Sequence, residues 1–286
     1  MSQTLAPSVS RQRSALIERR PGAAEQDLDR YLRTRRRKDA ALRFGAPVLL
    51  VVLWQIVSMS GLVDQRFWPA PTAVFEAFVE SLQSGQLLDA LGVSVSRILV
   101  GFAFGAVAGI VGGLALGSVR GLRIALEPTI SALYTVPKLA LLPLLLLIFG
   151  LGDTPKIILI ALAVFFIVVI STTAAVSGVP ESYREPARSF GASRFQTFRH
   201  VIAPAIIPEV FVGLRIAAGN AVLVLIGIEF VQGGAGLGWM IWNSWQLFAA
   251  DTMYVGIITV ALLGAVFQSA IMLVGRLSTP WIDSNS

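Results

Sequence analysis

The chain has 286 residues, 55% of them hydrophobic and only 14% charged, with no cysteine and a single histidine, His200. Soluble domains carry roughly 25% charged residues, so this composition excludes an ordinary globular protein and points to a chain embedded in lipid. The missing cysteines and lone histidine exclude disulfides, thiol chemistry, iron–sulfur clusters and any multi-histidine metal site.

Residues 1–43 are polar and hold eleven Lys/Arg against five Asp/Glu, so this tail accounts for the whole formal net charge of +6. A pI near 10.3 would raise nucleic acid as a partner. The basic block Arg33-Thr34-Arg35-Arg36-Arg37-Lys38 instead abuts the first apolar run, where topology signals sit, so nucleic acid is set aside. We expect 1–43 to be a cytoplasmic tail, disordered or loosely helical. The run Phe44–Leu62 is longer than a signal-peptide core and is followed by more spans, which makes it a signal anchor.

Apolar runs of about 20 residues, each long enough for the ~30 Å hydrocarbon core, predict an all-α membrane protein with six transmembrane helices. These fall near 44–62, 96–117, 130–150, 156–178, 208–230 and 252–275. On that assignment eighteen of the 23 basic residues lie on one side, which places both termini in the cytoplasm and the chain in the cell membrane as a multi-pass protein. Between the first two spans, Trp68-Pro69-Ala70-Pro71 stops a helix and Thr72 can cap a new one. Phe75, Phe78, Val79 and Leu82 then recur opposite Glu76 and Glu80. That pattern fits a short amphipathic helix, either at the external interface or packed on other spans.

The second span carries Gly101, Gly105, Gly109, Gly113 and Gly117, a ladder at every fourth residue. In lipid such a ladder allows close backbone approach. Because positions four apart drift ~40° per step, the stripe winds and could serve more than one neighbour. The third span contains Tyr134, Pro137, Lys138 and Pro143, a short, proline-interrupted segment of a kind that lines translocation pathways. A structural kink with a snorkelling lysine is the other reading. Span five holds Arg215, Asn220 and Glu229; ionisable groups in a span are functional candidates, with interfacial placement as the rival. After it, Gly233-Gly234-Ala235-Gly236-Leu237-Gly238 with Trp239, Trp242 and Trp245 reads as a flexible external turn with interfacial tryptophans. The glycines lack the Lys and Ser/Thr of a P-loop, and Gly92-Val93-Ser94-Val95-Ser96 lacks the closing glycine of a nucleophile elbow.

The polar insert Glu181–Pro204 stands apart. Arg184, Arg188, Arg194 and Arg199 with Glu181 and Glu185 keep it out of lipid, while Phe190, Phe195, Phe198, Val201 and Ile202 add an apolar stripe. Gly191 permits a sharp change of direction between two short helices. An exposed bent element with an aromatic knob and a charged rim has the anatomy of a protein docking site.

Glu185-Pro186-Ala187, Gly191 six residues after the glutamate and Pro204 thirteen further on resemble the EAA motif of ABC-importer permeases. Pro186, Val201 and Ala203 depart from it, and Pro186 suggests a helix start at the glutamate. Trp68-Pro69-Ala70-Pro71, Val136–Pro143, Phe149-Gly150-Leu151 and Gly236-Leu237-Gly238 extend the likeness to the branch serving aliphatic sulfonates, taurine and nitrate.

The resemblance, from about Trp54 to Pro280, implies a type I importer permease of MetI-like fold. Its transmembrane core would be 96–276, after a first span and amphipathic segment at 44–95 and before a cytoplasmic tail at 277–286. It further implies a second permease copy, a cytoplasmic ATPase dimer that binds ATP and magnesium, and an extracellular substrate-binding protein. Glu185, Ala187, Gly191, Phe195 and Pro204 would then seat the ATPase, and Tyr134, Lys138, Arg215, Asn220 and Glu229 would border the pathway. The chain itself would be no enzyme and hold no cofactor. An ion-gradient-driven carrier, an intramembrane enzyme and an anchoring scaffold are the alternatives.

Overall fold

The computed structural model describes residues 28–281, which are helical with no strand among them. The segments 1–27 and 282–286 lie outside the described residues, and with them most of the expected tail. The chain divides into two compact units, one ending at Ile56 and one beginning at Val57. The helix α1 (Leu28–Met59), whose last three residues belong to the second unit, starts sixteen residues ahead of the apolar run and takes in the basic block.

The second unit holds α2 (Pro71–Gln83), α3 (Gln86–Ser118), α4 (Arg120–Thr135), a 3₁₀ turn (Lys138–Leu141) and α5 (Leu142–Phe149). It continues with α6 (Thr154–Gly178), α7 (Glu181–Ser189), α8 (Arg194–Thr197), a π turn (Phe198–Ile202), α9 (Ala203–Val231), α10 (Leu237–Gln246) and α11 (Ala250–Ser278). Four helices among the described residues are long and apolar enough to cross a membrane: α3, α6, the run Arg194–Val231, and α11. The pair α4 and α5, bent by 88°, counts as a fifth, and the apolar part of α1, Gly45–Met59, is shorter. The expected six are therefore four or five by length, because proline breaks one span and the first apolar run is brief.

The glycine ladder sets the architecture. A Cβ at Gly101 would lie 2.7 Å from Ile160 Cβ, at Gly109 2.8 Å from Val168, at Gly113 2.5 Å from Thr172 and at Gly117 2.5 Å from Val176. At Gly105 it would strike the Ala161 carbonyl. Partners advance by four as the glycines do, so α3 and α6 run parallel in constant register. All five glycines face α6 alone, which corrects the expected winding: i,i+4 rows pack into i,i+4 rows, so the helices wrap around one another and absorb the drift. A parallel pair also requires residues 119–153 to carry the chain back to the starting end, which α4 and α5 do.

The core lies around α6. Leu159, Ile160, Val164 and Val168 meet Ile98 and Phe102 of α3, Leu142 and Leu145 of α5, and Ala217, Ala218, Ala221 and Leu225 of α9. Gly213 opposite Ser171 brings α9 close to α6, antiparallel to it. By contrast α11 buries little of its apolar length completely: Val260, Leu263, Phe267 and Ile271 pack half-buried against the core, and the opposite face is exposed.

One local expectation needs correction. Pro71, not Thr72, opens α2; it fills the first helical position after Ala70, where its missing N–H costs nothing. On α2, Val74, Ala77 and Ser81 are buried, while Phe75, Phe78 and Leu82 are exposed, with the two rings 6.5 Å apart. The apolar face of α2 thus points away from the spans.

Candidate functional site

The insert begins with α7 at Glu181, behind Pro180 in an extended conformation (φ −58°, ψ 143°). Pro186 sits inside this helix rather than at its start, at the sixth position, where its missing N–H removes one intrahelical hydrogen bond. The Arg184 guanidinium donates to the Val176 carbonyl at 2.7 Å and ties α7 to the end of α6; Arg188 pairs with Glu181 at 2.7 Å. The chain then turns at Gly191, whose φ of +77° lies where side chains are strained. Gly191 N–H closes on the Arg188 carbonyl at 2.9 Å and Ala192 N–H on the Ala187 carbonyl at 3.0 Å.

Ser193 caps α8 in a reciprocal capping box with Gln196. The π turn follows, with Ala203 N–H reaching back to the Phe198 carbonyl. That wider turn makes room for Pro204, which has no N–H to give, and the helix passes into α9. Pro204 therefore does not close the insert, nor does Pro208 begin a span: 194–231 is one helical run with Pro208 inside it. Phe190 and Phe195 stand 91% and 69% exposed, and Glu185 is exposed beside half-buried Ala187. Phe198, Val201 and Ile202 turn inward and are half-buried. The result is an aromatic knob with a charged rim, anchored to α6 on one side and continuous with α9 on the other.

The other candidates do not form one cluster. Tyr134 is exposed, and Lys138 folds back so that Nζ donates to the carbonyls of Leu133 (3.1 Å), Tyr134 (2.6 Å) and Val136 (2.9 Å). It thereby satisfies the end of α4, orphaned where Val136 and Pro137 break the helix. Arg215 is exposed in a groove between α9 and α11, with Asn220 half-buried further along α9.

Glu229 lies at the opposite end of the bundle from the insert and is completely buried. Its carboxylate accepts from Arg97 Nη1 at 2.7 Å, from Ser94 Oγ at 3.0 Å and from Gly238 N–H at 2.8 Å. Arg97 also donates to Asp153 at 2.6 and 2.9 Å and to the Ala235 carbonyl at 2.9 Å. Ser94 Oγ accepts from Leu237 N–H at 2.8 Å. A Cβ at Gly236 or Gly238 would fall on Glu229, so these glycines form its cradle and not a flexible turn. Sequence reasoning missed Arg97, Ser94 and Asp153. The available signal was an arginine at the edge of one apolar run and a glutamate deep in another, since lone charges in lipid need partners. Among the described residues no group of three or more His, Asp or Glu could hold a metal ion.

Residues 101–283 match the model of the family described as "Binding-protein-dependent transport system inner membrane component". A protein described as an aliphatic sulfonates transport permease, SsuC of Escherichia coli (strain K12), is 36% identical, over 82% of this chain and 89% of its own. The taurine transport system permease protein TauC of the same organism is 32% identical, over 85% and 90%. Among solved structures, an inward facing conformation of the MetNI methionine ABC transporter aligns with a TM-score of 0.59. It is 18% identical, over 68% of this chain and 96% of its own, and shares the fold. With a match that extends from the glycine ladder on α3 to the end of α11, the chain belongs to the binding-protein-dependent transport system inner membrane components, the permeases of ABC importers.

Proposed function

We propose that this permease works as a pair of copies, is driven by a cytoplasmic ATPase seated on the 181–204 insert, and receives a small anion from a separate binding protein. ATP and magnesium belong to the ATPase. The observation that carries the reading is the exposed aromatic knob, whose Phe195 lies on the helical run 194–231 that continues into α9 and whose Phe190 precedes it across the Gly191 turn. Force applied at Phe195 reaches the span bearing Arg215, Asn220 and Glu229 along one continuous helical run. Glu185 supplies the charged contact and Gly191 the bend, with Ala187, Phe195 and Pro204 completing the seat. The relatives' names support an aliphatic sulfonate or taurine-like cargo, and Tyr134, Lys138, Arg215 and Asn220 are assigned to the borders of the pathway, whereas Glu229, completely buried against Arg97 and Ser94, does not line it. A binding-protein-dependent family leaves no role for an ion gradient.

Glu185→Arg and Gly191→Val are expected to release the ATPase while the spans stay folded. Loss of one interface anchor costs about 2 kcal/mol or more, so ATPase co-purification should fall at least tenfold, with an unchanged melting temperature in detergent. Normal co-purification and ATP-driven uptake by both variants would remove the docking role.

A further inference from the structure

The groove between α9 and α11 is the least explained feature of the second unit. It has a volume of about 550 Å³ and is lined by Arg215, Gly219, Val222 and Leu223 of α9 and by Val260 through Met272 of α11. That size lies within the 300–1,000 Å³ usual for small-ligand sites. Gly219 leaves space for the Gln268 amide, whose Nε2 would be 3.0 Å from a Cβ placed there. Gly264, Ala265 and Ser269 keep the α11 wall low. Toward the insert the groove continues past Met272 to Arg276, in a second recess that Arg215 also lines.

Three facts point the same way. First, Arg215 and Gln268 have no hydrogen-bond or ion-pair partner among the described residues, although both sit within membrane-spanning helices. A span exposes such groups to protein or water and not to hydrocarbon, where each would cost a few kcal/mol. Second, no carboxylate lines either recess, so the cation is uncompensated. Third, the donors are of the right kind: a permanently charged planar guanidinium, an amide N–H₂ and a hydroxyl match a tetrahedral oxoanion, the guanidinium in bidentate fashion.

We infer that the Arg215–Gln268–Ser269 groove is an anion subsite that contacts the cargo's sulfonate group, with Gln268 and Ser269 as specificity-determining residues. The importer reading supplies the identity of the anion as cargo. The groove's chemistry stands on its own.

The chain has no cysteine, so Ser269→Cys installs a unique thiol in the full-length protein. In nanodiscs of zwitterionic lipid it is treated with the anionic sulfonatoethyl methanethiosulfonate, itself an alkyl sulfonate, and with the cationic trimethylammonioethyl reagent. Arg215 should favour the anion on the order of tenfold in rate, and Arg215→Gln should bring the ratio to about one. Slow reaction with both reagents would mean that lipid or a second copy fills the groove, and would overturn the proposal. So would a ratio indifferent to Arg215→Gln. A preference abolished when anionic phospholipid replaces zwitterionic lipid would assign the site to a headgroup and overturn the cargo assignment. In proteoliposomes with the ATPase and binding protein, Arg215→Gln should lower taurine uptake about tenfold; unchanged uptake would overturn the cargo assignment. Absence of ATP-driven uptake by the unsubstituted complex would instead defeat the importer reading and leave the thiol ratios standing.

Discussion

Glu229→Ala is expected to lower the melting temperature of the purified permease on the order of 10 °C. The substitution leaves Arg97, 5% exposed, with a buried positive charge whose one remaining carboxylate is Asp153 at the rim, and strips Ser94 Oγ and Gly238 N–H of their acceptor. Breaking a buried ion pair from one side costs about 3–5 kcal/mol, whereas replacing both members by apolar residues is often neutral. At about 2–4 °C per kcal/mol for a protein of this size, the single variant loses that order of temperature. Arg97→Met with Glu229→Leu should recover most of it. Scanning fluorimetry of the two single variants and the double gives the coupling directly. If the three variants melt together with the parent, the network contributes nothing to stability.

Gly105→Leu is expected to be worse, and to act by separating α3 from α6. The new Cβ alone would meet the Ala161 carbonyl, a backbone atom that cannot rotate aside. Overpacking a well-packed contact costs about 1–3 kcal/mol and occasionally more, and here the remaining side-chain atoms add to it. Gly92→Ala is the control: nothing lies within 4 Å of its Cβ, and a helical alanine gains about 0.5–1 kcal/mol over glycine. Yield and melting temperature should therefore fall steeply for the first and hold or rise for the second. Equal behaviour would mean that the ladder is not a packing surface.

Much of the fold was legible because apolar runs of membrane length and a four-residue glycine repeat are local signals. The insert was legible for the same reason, since charge, aromatics and Gly191 lie within 24 consecutive positions. What escaped was non-local. The partnership of Ser94, Arg97, Asp153 and Glu229 joins segments up to 135 residues apart, and no periodicity in one segment reports on another. The role of Gly236 and Gly238 was misread because a glycine needed for a neighbour's carboxylate looks, in sequence, like one needed for a turn. Gln268 drew no attention because an amide in a span carries no charge; only the groove across from Gly219 gives it a direction. Proline was the other source of error. Pro186 and Pro208 read as boundaries, yet both lie within helices, where one lost hydrogen bond is outweighed by the packing of the whole element.

An evenly notched surface has one property that the ladder's tight fit conceals. Glycine at every fourth position of α3, met by a partner at every fourth position of α6, is a ruler with identical gradations. Sliding one helix by a single gradation, roughly 6 Å, would still leave four of the five notches filled. The fit therefore holds the two helices together without saying where along their length they stop. That information has to come from groups that occur once. Arg97 of α3 with Asp153, the residue before α6, at one end and Arg123 of α4, just past the end of α3, with Ser177 of α6 at the other are the detents that choose a single setting from several of nearly equal fit.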